Sequence, residues 1–170
     1  MKKMELGSFS ILPATILFGH AAFAKPGKPK GSAEKDAAIK SEVETAISML
    51  QTIYSKHQKG ETTLEQAKQL GADLLRELQY GEDGYFWADT TEGVNVALYG
   101  RKDVEGKSRL EFKDYKGKFM LKEFIARAKA GGGYVDYWFP KKNETTPVSK
   151  RGYVQLFKPF GWVVGTAYYL

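Results

Sequence analysis

Residues 81–100 read GEDGYFWADTTEGVNVALYG, and this stretch decides the fold. Two short runs rich in aromatic and β-branched residues, 85–89 and 94–99, flank the four turn residues Thr90-Thr91-Glu92-Gly93. Runs of this composition separated by a turn that contains glycine are typical of an antiparallel β-hairpin. The stretch therefore predicts a sheet in which neighbouring strands are joined by tight turns.

Three further strand candidates follow toward the C-terminus, at residues 134–139, 152–157 and 162–168. A polar loop at 141–149 and a tight turn at 159–161 separate them. Before these strands, a turn at residues 114–117 precedes apolar positions that are spaced for a short helix over 119–128. The three glycines at 131–133 are expected to end that helix.

The first half of the chain carries two helical patterns. Ser32 is suited to cap a helix whose apolar residues recur every three or four positions until Gly60 ends it. Thr62 and Glu65 have the spacing of a capping box for a second helix. Two helices followed by about five strands and one inserted helix predict an α+β fold, with long N-terminal helices packed on a mostly antiparallel five-stranded sheet. Residues 32–170 are expected to form this single domain.

The first 31 residues have a different character. Lys2 and Lys3 precede an apolar stretch, and Ala22-Phe23-Ala24 has the small-x-small pattern of a signal-peptidase site. Residues 1–24 are therefore predicted to be a signal peptide, and the protein to be periplasmic. The basic, Pro- and Gly-rich residues 25–31 are predicted to be a linker. The alternative is a retained membrane anchor, although the apolar stretch is shorter than the roughly 20 residues that a spanning helix needs.

The composition argues against several kinds of chemistry. The chain has no cysteine, which excludes disulfides, thiolate metal sites and cysteine nucleophiles. His57 is the only histidine after the predicted signal peptide, and nothing around it suggests a catalytic triad or a metal site. We expect no catalytic residue, no metal and no cofactor. The net charge of +6 is spread along the chain, and an exported protein would rarely meet nucleic acid, so the lysines among aromatic residues at 113–119 are not assigned to nucleic-acid binding.

A series of short motifs runs from residue 39 to residue 170. These motifs are Leu75-Arg76, Tyr80-Gly81, Asp83-Gly84-Tyr85-Phe86-Trp87, Glu105-Gly106-Lys107, Asp114, Gly117-Lys118, Gly133-Tyr134-Val135, Tyr137, Lys150, Tyr153-Val154 and Phe160-Gly161-Trp162-Val163-Val164-Gly165-Thr166. Their order and spacing resemble the single Cache domain of type 2, an extracytoplasmic sensor module of bacterial chemoreceptors and sensor kinases. The resemblance implies a long helix along a PAS-like antiparallel sheet and a small pocket for short carboxylates such as acetate, propionate, pyruvate or lactate.

Given this resemblance, eight residues are candidates for binding the ligand: Tyr85, Trp87, Tyr99, Tyr137, Phe139, Lys150, Tyr153 and Arg76. Lys150 would supply a compact positive charge, the tyrosines hydrogen bonds, and Trp87 with Phe139 an apolar wall. The alternative for Lys150 is an exposed lysine at a strand edge, and that for Arg76 is a pair with a surface carboxylate. Where family members commonly carry a His-Pro pair, this chain has Leu98-Tyr99, so a pocket imidazole is missing and Tyr99 offers a phenol instead.

The function that follows is a sensor that binds a short carboxylate outside the cytoplasm and relays its occupancy to a partner such as a membrane receptor or sensor kinase. Leu170 follows the last predicted strand directly, so we expect the signal to pass to another protein. A ligand-free protein-interaction module of the same fold is the alternative, which the Leu98-Tyr99 departure keeps open. An enzyme is disfavoured because the mature chain would have no cysteine and a single histidine in an unpromising position.

Overall fold

A computed structural model describes residues 32–141 and 144–170; the predicted signal peptide (1–24) and linker (25–31) lie outside the described residues. The elements in chain order are α1 (Ala33–Gln58), α2 (Leu64–Glu77), β1 (Gln79–Tyr80), β2 (Gly84–Tyr85), β3 (Trp87–Thr90), β4 (Asn95–Leu98), a single 3-10 turn (Lys102–Val104), α3 (Met120–Lys129), β5 (Gly133–Pro140), β6 (Pro147–Phe157) and β7 (Trp162–Tyr169). None of the helices in these two ranges is long and apolar enough to cross a membrane.

The two N-terminal helices begin at side-chain caps. The Ser32 side chain accepts a hydrogen bond from the backbone N–H of Lys35, as its position in the sequence predicts. In α2 the capping box is formed by Thr63 and Gln66, one residue later than the predicted pair Thr62 and Glu65. Both pairs have the required spacing, and the extended backbone at Thr63 (φ −72°, ψ 164°) selects the second one.

The sheet has the strand order β4-β3-β7-β6-β5, and all four neighbouring pairs are antiparallel. The predicted hairpin is confirmed as β3 and β4, closed by the backbone N–H of Thr90 donating to the carbonyl of Val94. The run predicted as one strand over 85–89 is divided between β2 and β3. Strand β6 begins at Pro147 rather than at residue 152, because its residues 147–154 pair with β5.

Alternate residues of the central strands face two different layers. On one face, α1 and α2 contribute buried residues such as Val43, Leu50 and Leu75. On the other face, α3 packs Leu121 and Phe124 against the sheet. Because side chains alternate along a strand, residues that are adjacent in the sequence face opposite layers.

A loop formed by residues 99–119, here called the covering loop, connects β4 to α3. The predicted turn at 114–117 is present in it, with Gly117 at φ 82°. The Asp114 carboxylate accepts hydrogen bonds from the backbone N–H groups of Lys116 and Lys118, each at 2.9 Å. It also accepts one from the backbone N–H of Trp138 in β5, at 2.9 Å. Asp114 therefore fixes the covering loop to the edge of the sheet and satisfies a donor of an edge strand.

Candidate ligand-binding site

A cavity of about 100 Å³ lies between the sheet, α3 and the covering loop. Its lining residues are Tyr85, Trp87, Leu98, Tyr99, Arg101, Arg109, Met120, Phe124, Tyr137 and Phe139. Five of the eight residues singled out from the sequence are in this set. They come from β2, β3, β5 and the start of the covering loop, so the fold brings together positions that are far apart in the chain.

The apolar part of the wall is a packed group of aromatic rings. The Trp87 ring is 5.6 Å from the Phe124 ring, which in turn meets the Tyr137 ring edge-on at 5.2 Å. Trp87 lies so close to β7 that a Cβ at Gly165 would be 2.6 Å from its Cζ2, so this strand position has room for glycine alone. The Trp87 Nε1 atom has no hydrogen-bond partner among the described residues, and packing alone therefore holds the indole.

Lys150 provides the charge next to the cavity. Its side chain is 1% exposed, and β6 lies inside the sheet, so the strand-edge alternative is wrong. The ammonium Nζ donates to the hydroxyl of Tyr85 at 2.8 Å and lies 4.6 Å and 4.7 Å from the ring centres of Tyr85 and Tyr169. Burial lowers the pKa of Lys150, against the opposing effect of Tyr169. Lys150 does not line the cavity itself; it meets the cavity through the Tyr85 hydroxyl.

Two arginines of the covering loop also line the cavity, and sequence reasoning missed both. Arg109 Nη1 lies 3.3 Å from Oδ1 of Asp89, a fully buried carboxyl that also accepts from Asn95 Nδ2 at 3.0 Å. Burial raises the pKa of Asp89, and Arg109 and Asn95 oppose that shift. Arg101 is more exposed and binds Asp103 through two hydrogen bonds of 2.8 and 2.9 Å. A loop has no periodicity, so the sequence offered no signal that these guanidinium groups face the cavity.

Leu98-Tyr99 stands where the resemblance found in the sequence implies a His-Pro pair, and both residues are placed by the structure. The Tyr99 ring stacks on that of Tyr85, with 6.1 Å between centres and 30° between planes. Leu98 and Tyr99 both line the cavity. Leu98-Tyr99 therefore gives this part of the cavity wall an apolar and a phenolic group.

Two predicted site residues lie elsewhere. Tyr153 faces α1, where it packs with Ile39 and Val43, because a residue three positions from Lys150 on a strand points to the opposite face. Arg76 binds Glu105 through Nε and through Nη2, the latter at 2.9 Å, and binds Asp73 through Nη1. The carboxylate-pair alternative for Arg76 is thus confirmed, and neither residue is part of the cavity wall.

An antiparallel five-stranded sheet with helices on both faces and a small pocket under one of them defines a PAS-like α+β sensor domain. The chain belongs to the single Cache domain 2 family, whose profile matches residues 32–170. Cache domains are extracytoplasmic ligand-binding modules of chemoreceptors and sensor kinases and are not enzymes. The predicted fold class and family are confirmed.

Among curated proteins, the chain is 36% identical over 136 residues to the sensor histidine kinase MctS of Rhizobium johnstonii. The aligned region covers 80% of this chain and 29% of that protein. It is 30% identical over 129 residues to the methyl-accepting chemotaxis protein McpP of Pseudomonas putida, covering 75% of this chain and 24% of that protein. The chain thus spans less than a third of the length of the curated relatives it matches.

Two solved structures superimpose on the chain with a TM-score of 0.77 each. One is a periplasmic sensor domain of a chemotaxis protein, at 32% identity, covering 81% of this chain and 96% of the other. The second is described as the structural basis for carboxylic acid recognition by a Cache chemosensory domain, at 31% identity, covering 81% and 94%.

Proposed function

We propose that this domain binds a short monocarboxylate in the cavity, in the periplasm, and relays its occupancy to a membrane receptor or sensor kinase. The observation that carries the proposal is the Lys150–Tyr85 contact at the cavity wall. Within the described residues, no carboxylate lies within the 4.0 Å salt-bridge distance of the Lys150 ammonium. Asp83 acts on Lys150 only from beyond that distance. A buried charge without a counterion in contact is unfavourable, and an anionic ligand would supply one.

The hydrogen bond between Lys150 and Tyr85 suits a carboxylate. The Tyr85 hydroxyl accepts from the ammonium, so its own proton remains available to an anion in the cavity. Hydrogen bonds in series polarise one another, which makes this phenol a stronger donor. Arg109, which also lines the cavity, adds a guanidinium group that is suited to carboxylate recognition.

The size and the apolar wall of the cavity favour a small acid. A volume of about 100 Å³ corresponds to roughly three water molecules at about 30 Å³ each. That room suits an acid of two or three carbons such as acetate, propionate, pyruvate or lactate, whose tail would contact Trp87 and Phe139. The names of the relatives support the same ligand class and the same kinds of partner.

The first experiment is a thermal-shift screen of the protein against these four acids, with amino acids and purines for comparison. A ligand present at 100 times its dissociation constant adds about 2.7 kcal/mol to the free energy of unfolding. We expect one or more of the acids to raise the melting temperature by several degrees. A flat response across all the acids would contradict the proposal and favour the ligand-free interaction module.

Lys150→Met tests the residue at the centre of the proposal, because methionine keeps an unbranched side chain and removes the charge. Loss of a hydrogen bond to a charged group weakens binding by roughly 1.5–3 kcal/mol. Lys158→Met is the matched control, since Lys158 is exposed in the turn between β6 and β7. Equal acid affinities in the two variants would remove Lys150 from the proposed mechanism.

A further inference from the structure

Strands β6 and β7 carry two adjacent cross-strand pairs whose side chains lie on opposite faces of the sheet. Lys150 is paired with Tyr169 on the cavity face of the sheet, and Arg151 is paired with Tyr168 on the α1 face. On the cavity face, the Lys150 ammonium lies over the ring of Tyr169. The backbone units that position the proposed ligand contact are therefore the same ones that position Arg151 and Tyr168.

On the opposite face, Arg151 and Tyr168 hold a single carboxylate in the first turn of α1. The Tyr168 hydroxyl donates to Asp36 Oδ1 at 2.7 Å, and Arg151 Nε lies 2.9 Å from the same oxygen as an ion pair in which the Nε–H makes no hydrogen bond. The Asp36 carbonyl accepts from the Tyr134 hydroxyl at 2.9 Å, and Arg151 Nη1 donates to both Asp136 oxygens at 2.9 and 3.1 Å. We call this group, Asp36, Arg151, Tyr168, Tyr134 and Asp136, the α1 clasp.

We propose that the α1 clasp reports occupancy of the cavity to the start of α1, with strands β6 and β7 as the mechanical link. The inference rests on the proposed function, and it adds the element that changes when the acid binds. An acid held near Lys150 fixes the backbone at Lys150 and Tyr169, and the adjacent residues then hold Asp36 more firmly. The output of the sensor is the stability of the first turn of α1.

The geometry of the clasp makes it responsive to small shifts. Asp36 and Arg151 are 18% and 22% exposed in their side chains, so solvent partly screens their attraction. The attraction in a partly buried pair depends on the distance between the charges, so a small change in geometry changes how firmly Arg151 holds Asp36. Coupling between two sites requires such an element with two arrangements whose equilibrium both sites bias.

The reciprocity of coupling gives the inference a quantitative test. Suppose that binding of an acid raises the equilibrium constant for closing the clasp by some factor. A variant that cannot close the clasp must then bind that acid with an association constant lower by the same factor. Couplings of this kind commonly lie between about 5-fold and 150-fold. The two factors can be measured independently, one by hydrogen exchange in α1 and one by calorimetric titration.

The experiment uses the full chain with and without saturating propionate. We expect propionate to slow amide exchange at least about fivefold in residues 33–40, and to leave residues 48–58 of the same helix unchanged. Asp36→Asn should abolish that protection and weaken propionate binding by the same factor. Glu34→Gln is the matched control, because it removes the same charge from an exposed position in the same turn and should behave as wild type.

Tyr168→Phe provides a second variant, since it removes only the hydroxyl that donates to Asp36 and should reduce the protection even if Asp36→Asn disturbs folding. No propionate binding by the wild type would overturn the proposed function, and the relay with it. Propionate binding with unchanged exchange at 33–40 would overturn the relay alone. A wild-type protection factor that differs from the loss of affinity in Asp36→Asn by more than experimental error would also overturn it.

Discussion

Replacing Gly165 by alanine is expected to deform the cavity from the β7 side. An added Cβ would lie 2.6 Å from Cζ2 and 2.7 Å from Cε2 of the Trp87 indole, and 2.9 Å from Cγ1 of Val154. The indole is 4% exposed and packs against Phe124, so it cannot move aside into solvent. Overpacking of this kind typically lowers the free energy of unfolding by about 1–3 kcal/mol. The indole can relieve the contact only by moving off β7 toward the cavity, which should also weaken acid binding.

Gly152→Ala is the matched control for this prediction. A Cβ at Gly152 would lie 3.4 Å from Cη2 of the same indole and 3.4 Å from the nearest atoms of Tyr137 and Thr166, which is ordinary van der Waals contact. Alanine also restricts the unfolded chain, an effect worth about 0.4–1 kcal/mol in favour of the folded state. Urea denaturation should therefore separate the two variants at unchanged slope. Equal midpoints for Gly165→Ala and Gly152→Ala would refute the argument from the Trp87 contact.

Two further predictions concern charged groups. Burial lowers the pKa of Lys150 below its ordinary 10.5, so the unfolded chain keeps this proton to higher pH, and stability should rise with pH between the lowered value and 10.5. Urea denaturation of wild type and Lys150→Met across this range should give a stability difference that changes with pH; a constant difference would contradict the assignment. Asp114→Ala should lower the free energy of unfolding by at least about 1.5–3 kcal/mol and expose the covering loop to trypsin at Lys113 and Lys116. The exposed acid of the same loop offers the control Glu111→Ala, and equal cleavage of both variants would show that Asp114 does not hold the loop.

The features that sequence predicted well are those set by local patterns. The hairpin around Gly93, the turn at 114–117 and the helix stop at 131–133 follow from glycine and turn-residue preferences that act over a few positions. The aromatic lining of the cavity followed from alternation in strands together with the family resemblance. The turns and the helix stop depend on residues that are close in the sequence, and the structure therefore has them where the sequence predicts them.

The features that sequence missed depend on contacts between distant segments. Arg109 lies at the cavity because the covering loop is bound to the β3–β4 hairpin: its backbone N–H donates to the Gly93 carbonyl at 2.8 Å, and its guanidinium pairs with Asp89. The start of β6 was misplaced because pairing with β5 and β7, rather than local propensity, extends it to Pro147. Tyr153 belongs with the misplaced strand start: because β6 includes Lys150 as well as Tyr153, their odd spacing puts the two side chains on opposite faces.

A buried lysine beside a small cavity suits a sensor better than a stronger ion pair would. Without ligand, the Lys150 ammonium has the Tyr85 hydroxyl and two aromatic rings as neighbours, and the burial that lowers its pKa also opposes the stability of β6. Under the proposed function, an acid next to Tyr85 would remove part of that unfavourable energy, so that binding and local stability would rise together. A carboxylate built into the fold next to Lys150 would satisfy the charge permanently and remove the dependence on ligand. The same strand carries Arg151 on its other face, so in the proposed relay a change at the cavity would act on the contact between Arg151 and Asp36, where α1 begins.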